Sequence, residues 1–205
     1  MTMRTLHGLS AMLILGFALV HLTNHLVGLL GVEAHIAFMR SARMVYRFPL
    51  VEVPLLAAVA FQSYSGITLV VRGWGRRQGF IAWLQAVSGA YLAFFFLIHI
   101  GAVLFGRVVL QLDTTFYFAA AGFHVPPFQF FFAPYYFLGV LALFTHVGCA
   151  LCRRIQSESR AARALVMAAA SGLGLVVSLL IVLSLAGVFY RVEVPAEYKA
   201  TYGGS

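Results

Sequence analysis

Most of the chemistry this chain can offer lies in seven histidines: His7, His21, His25, His35, His99, His124 and His146. His21 and His25 stand one helical turn apart in the largely apolar run Phe17-Ala-Leu-Val-His21-Leu-Thr-Asn24-His25-Leu. Neutral imidazole is the commonest metal ligand in proteins. An ionisable side chain inside a membrane-spanning run is costly and marks a functional candidate. With sides assigned from charge below, His21 and His99 lie in the outer halves of their runs and His146 in the inner half of another, counting ~1.5 Å of rise per residue. Two imidazoles reaching from facing helices at one depth suit the axial positions of a haem iron, and helix bundles build cofactor sites this way. A buried histidine bonded to a carbonyl or serine is the plainer alternative. Deep histidines in three runs at two coherent depths weigh against it. His7 lies at the inner mouth of the first run. His35 and His124 fall in outer loops and read as ordinary surface or interface residues.

The elements that must position these side chains are membrane helices. The 205 residues are 62% hydrophobic and 10% charged, with a mean hydropathy of +0.93, which no soluble domain of this length shows. Apolar runs near 20 residues recur, the signature of transmembrane helices. The pattern predicts an all-α integral membrane protein, one domain over 1–205, with spans at about 9–31, 50–71, 81–105, 133–152 and 165–189. The first run carries internal polar residues and is not read as a cleavable signal peptide. The connection over 106–131 is rich in aromatic residues and is expected to lie in the interface. The tail from 191 onward is expected to be polar and extended.

A net charge of +8 on a soluble chain would suggest nucleic acid. Here the arginines fall in short segments between apolar runs and read as topology signals, so no nucleic-acid partner is expected. With the N-terminus inside, the inner segments hold eight arginines (Arg4, Arg72, Arg76, Arg77, Arg153, Arg154, Arg160, Arg163) against Glu158, a net +7. The outer segments hold six basic and five acidic residues, a net +1. The expected placement is multi-pass in a bacterial inner (cytoplasmic) membrane, N-terminus inside and C-terminus outside.

Small residues line two runs, as Ser63-Tyr-Ser65-Gly66 and Gln85-Ala-Val-Ser88-Gly89. They permit close helix packing, the reading favoured on their own, and they also admit a flat macrocycle. Glu52 reads as a charge partner for Arg47 in the headgroups rather than a proton acceptor. Cys149 and Cys152 read as small buried thiols; a metal site would need more ligands than the sequence supplies nearby. No flavin motif and no cysteine set for an iron–sulfur cluster is present, so no catalytic residue is assigned.

In order along the chain, Leu6-His7-x-Leu-Ser10, Phe17-Ala-Leu-Val-His21, Leu84-Gln85-x-x-Ser88-Gly89, Phe94-Phe-Phe-Leu-Ile-His99, Tyr136-Phe-Leu-Gly-Val-Leu and Phe144-Thr-His146 resemble the five-helix cytochrome b membrane anchor (type B) of succinate:quinone oxidoreductases and quinol:fumarate reductases. The resemblance covers the first four spans. It implies haem b, with His21 and His99 as axial ligands of an outer haem and His146 as a ligand of an inner one. The partner of His146 in that family corresponds to Gln62 here, a poor iron ligand, so the inner haem is expected to be absent, five-coordinate or held by another residue, giving one haem or two. The family's proton-carrying glutamate, where present, corresponds to Phe144, so no such proton path is expected. His25 is a candidate contact for a haem propionate or a quinone, against the alternative of a helix-bonding histidine. Asn24 and the outer arginines are further candidates to neutralise propionates. The resemblance further implies a non-catalytic subunit of an electron-transport complex, passing electrons between an iron–sulfur partner and membrane quinone. Flavoprotein and iron–sulfur subunits would dock on the inner side. The alternative is a one-haem or haem-free membrane subunit of another respiratory or photosynthetic complex.

Overall fold

The structure, a computed structural model, describes residues 1–155 and 159–203. Glu158, counted above as the inner acid, lies outside the described residues. The helices in chain order are α1 (Met3–Val27), α2 (Val32–Tyr46), α3 (Pro49–Arg72), α4 (Phe80–Val108), α5 (Phe116–Ala120), α6 (Gln129–Arg154), α7 (Arg160–Leu185) and α8 (Ala196–Lys199). No strand occurs among the described residues. Five helices, α1 with its following 3-10 turn, α3, α4, α6 and α7, are long and apolar enough to cross a membrane. The chain therefore has the make-up of a multi-pass membrane protein.

Side-chain caps set the starts of two spans. Thr2 accepts a hydrogen bond from the Thr5 amide (3.2 Å) and starts α1 six residues before the expected position. Ser159 accepts from the Ala162 amide (3.1 Å) and starts α7 at Arg160 rather than 165. That helix also ends early: Gly187 takes a left-handed conformation (φ 75°), which glycine adopts without steric cost.

Two expectations for the segments outside the spans are corrected. Residues 32–46 form the amphipathic helix α2, not a loop. Its buried stripe is His35 and Met39, one turn apart, and Arg43 continues it. Arg43 then ties α2 to the 106–131 connection, donating to Asp113 Oδ1 (2.6 Å) and the Thr114 carbonyl (2.7 Å). That connection contains α5 and a 3-10 turn. The tail is not extended either: α8 folds back, and Tyr198 is buried with Phe116, Ala120 and Leu185 in the main hydrophobic core.

α3 lies between α1 and α4; α4 packs on α6, and α6 on α7. α7 returns to the end of α1 and its 3-10 turn, where the Ser184 hydroxyl donates to the Gly28 carbonyl (3.4 Å). The α6–α7 contact is close because small residues meet there. A Cβ on Gly148 would stand 2.7 Å from Ala170 Cβ, and one on Gly174 2.7 Å from Phe144 Cβ. α1 and α4 share no extended packing; α1 packs mainly on α3, and α4 on α3 and α6.

Glu52 pairs with Arg107 of α4, not with Arg47. Arg107 Nη1 lies 2.5 Å from Glu52 Oε1, and both side chains are about four-fifths buried. Glu52→Gln is expected to lower the unfolding midpoint in detergent, with a cost of about 2 kcal/mol from the weakened charged hydrogen bond. Thermal unfolding against wild type checks this.

Candidate functional site

α1 places His21 and His25 on one face, four residues apart, and α4 carries His99. Although α1 and α4 share no extended packing, their histidines meet. The His21 and His99 ring centroids are 5.9 Å apart, at an interplanar angle of 68°. His25 meets His21 edge-on at 4.8 Å. His35 of α2 completes the group, 5.2 Å from His25.

This overturns the surface reading of His35. The residue is only 3% exposed, bonded to Asn24 Nδ2 through Nε2 (3.1 Å) and covered edge-on by Phe116 at 5.2 Å. Asn24 Oδ1 and His35 Nδ1 are sealed from solvent without a protein partner. Burial, then His21 and Arg43, lowers the His35 pKa from 6.5 to about 4. The unfolded chain therefore binds a proton in that window that the folded chain refuses, and stability falls as pH drops through 6.5 toward 4. An unfolding series over that range is expected to show this slope in wild type and a shallower one in His35→Phe. His124 also has a defined role: its Nε2–H donates to the Leu185 carbonyl (2.9 Å) at the end of α7.

Among the described residues, the histidine side-chain hydrogen bonds belong to His7, His35, His124 and His146; none reaches His21, His25 or His99. Nor are the nitrogens of those three rings sealed, so they border open space. Two trans imidazoles bound to a first-row metal, each at about 2 Å, place their ring centroids roughly 6 Å apart. The 5.9 Å between the His21 and His99 centroids is of that order, so these two residues would hold such a metal. Among the described residues no set of three or more His, Cys, Asp or Glu converges on one point, as a structural zinc site requires.

The level of His7 and His146 is built differently. Ser10 Oγ donates to Gln62 Oε1 (2.6 Å), and Gln62 Nε2 donates to His7 Nε2 (3.0 Å). That leaves the ring proton on Nδ1, which donates to Ser65 Oγ (2.8 Å); Ser65 in turn donates to the Phe61 carbonyl (2.7 Å). Every group in this chain has a partner, and both His7 and Gln62 are committed to it. His146 Nδ1–H donates to the Gln85 carbonyl (3.0 Å), with Ser88 Oγ at 3.3 Å. Its Nε2 is left as a bare acceptor, the presentation typical of a metal-ligating histidine. The residues here thus supply one ligand-ready imidazole and, opposite it in the family pattern, a glutamine already engaged. They do not fit a two-histidine haem. Gln62→Leu is expected to strand His7 Nε2, costing about 1–3 kcal/mol of stability, while Ser10 keeps its bond to the His7 carbonyl (3.1 Å). Haem content should be unchanged, measured by absorbance on the same preparation.

The sequence carries a sign of this layer. Gln62-x-x-Ser65-Gly66 on α3 and Gln85-x-x-Ser88-Gly89 on α4 share one spacing. On each helix an imidazole rests against the glycine: a Cβ on Gly66 would meet His7 Cε1 at 3.4 Å, and one on Gly89 would meet His146 Cε1 at 2.8 Å. Cys149 and Cys152 are buried free thiols, and Cys152 Sγ donates to the Arg163 carbonyl (3.3 Å), joining α6 to α7.

Fold and site together define a multi-pass α-helical membrane protein with histidines gathered at two levels. Comparison of the chain with protein-family models, curated proteins and solved structures finds no match.

Proposed function

We propose that the chain is a haem b-binding membrane anchor subunit of a quinone-linked oxidoreductase complex, of the succinate dehydrogenase and fumarate reductase kind. The observation that supports this most is the approach of His21 and His99, 5.9 Å apart, from helices that share no extended packing, with no protein hydrogen bond on either ring. These two residues would hold the iron. His25, edge-on to His21, is the group nearest to hand for a propionate or a quinone headgroup. A bound b haem supplies one-electron transfer. The chain's own part is to hold the imidazoles, keep the level dry and bring it within reach of membrane quinone. α2, α5 and the tail cover the His25–His35 side.

Flavin and iron–sulfur chemistry would come from partner chains. Their docking face is the end bearing Arg72, Arg76, Arg77, Arg153, Arg154, Arg160 and Arg163, which the positive-inside rule places in the cytoplasm of a bacterial cell. A second reading, a one-haem subunit of another electron-transfer complex, is favoured by one observation: Gln62 and His7 satisfy each other where a second haem would need a ligand.

Protein purified from membranes is expected to show a low-spin b-type spectrum and to bring a flavoprotein and an iron–sulfur protein with it. A preparation free of haem sinks the proposal. Haem without those partners moves it to the second reading.

A further inference from the structure

Both proposed ligands carry the same neighbour. Phe17 precedes His21 by four residues on α1, and Phe95 precedes His99 by four on α4. None of the other five histidines has a phenylalanine at that position. A helical side chain leans over the turn before it, so each phenylalanine lies beneath its histidine. The rings stack nearly parallel in both pairs: 5.6 Å and 17° for Phe17–His21, 5.1 Å and 12° for Phe95–His99.

Each phenylalanine is held in turn. Tyr46 of α2 meets Phe17 edge-on at 5.4 Å. Tyr135 of α6 stacks on Phe95 at 4.8 Å, and its hydroxyl donates to the Phe95 carbonyl (3.0 Å). Gly139 makes room for the Phe95 ring: a Cβ there would come within 2.4 Å of it.

We propose that Phe17 and Phe95 are positioning residues that set the planes of the two axial imidazoles and floor their level with apolar rings. The inference rests on the haem reading above. A half-buried imidazole with no hydrogen bond is otherwise free to turn about its terminal torsion, which is broad. A stacked ring removes that freedom on each side. Core packing alone explains one such pair. It does not explain the same stack on both of the helices that reach each other through their histidines.

The test is the electron paramagnetic resonance spectrum of the ferric protein, whose highest g value follows the angle between axial imidazole planes. Phe17→Leu and Phe95→Leu are expected to keep the wild-type haem content and shift that g value. Phe17→Tyr, which restores a flat ring, is expected to return the wild-type spectrum. Gly139→Ala, which displaces Phe95, is expected to shift it as Phe95→Leu does. Unchanged spectra in both leucine variants overturn the inference, as does an equal shift in Phe17→Tyr. If a leucine variant loses haem altogether, Phe17→Tyr and Gly139→Ala decide: a wild-type spectrum in the first and a shifted one in the second support it, and the reverse overturns it. Wild-type protein without haem would be a failure of the functional reading instead.

Discussion

His99→Ala protein is expected to be purified folded and without its haem. On the proposed reading His99 and His21 would be the two groups that hold the iron, and His99 is the one imidazole that α4 contributes. Removing even a supporting partner of a metal ligand costs about 10–100-fold in affinity, so losing the ligand itself costs at least that. The bundle should survive. His99 makes no protein hydrogen bond that its loss would strand, and its neighbours Phe95 and Tyr136 remain packed on one another. His21→Ala should behave in the same way. His25→Ala should retain haem and alter only its midpoint potential or the rate of quinol oxidation. Absorbance at the haem band per chain, on protein of matched elution volume, separates these outcomes.

Phe116→Ala is expected to give the largest loss of stability among single substitutions outside the spans. The ring is 1% exposed and lies in the main hydrophobic core, where α5 meets the tail and the end of α7. It also seals His35, edge-on at 5.2 Å, and touches Tyr117 and Tyr190. Truncating a buried phenylalanine to alanine costs about 3–5 kcal/mol, through lost burial and the cavity left behind. Here a further loss follows, because water reaches the sealed Asn24–His35 pair and the covering of the histidine level loosens. Thermal unfolding in detergent should show a midpoint well below wild type, with Phe116→Leu recovering more than half of the difference. An unchanged midpoint in the alanine variant would show that α5 and the tail do not hold this end together.

The five spans were legible because apolar runs of membrane length have no competing explanation at this composition. Their ends were less so, since a single hydroxyl at Thr2 or Ser159 extends a helix past the point where hydropathy fades. α2 was hidden by Arg40, Arg43 and Arg47, which make the segment read as a polar loop. The stripe His35, Met39, Arg43 is helical in spacing, and that alone could have revealed it. Glu52 with Arg107 and His35 with His25 are contacts between distant segments, which local pattern does not encode. At the site, the pairing of His21 with His99 followed from counting depth along two spans. The engagement of Gln62 with His7 did not, because it depends on the rotation of α1 against α3. The repeated Gln-x-x-Ser-Gly spacing was the available hint.

The central claim is one haem at the level of His21 and His99, and the number of haems per chain tests it most directly. A pyridine haemochrome assay on purified wild type, His21→Ala, His99→Ala and His146→Ala should give one, none, none and one. No haem in the wild type, haem retained in His21→Ala or His99→Ala, or haem lost in His146→Ala would contradict it.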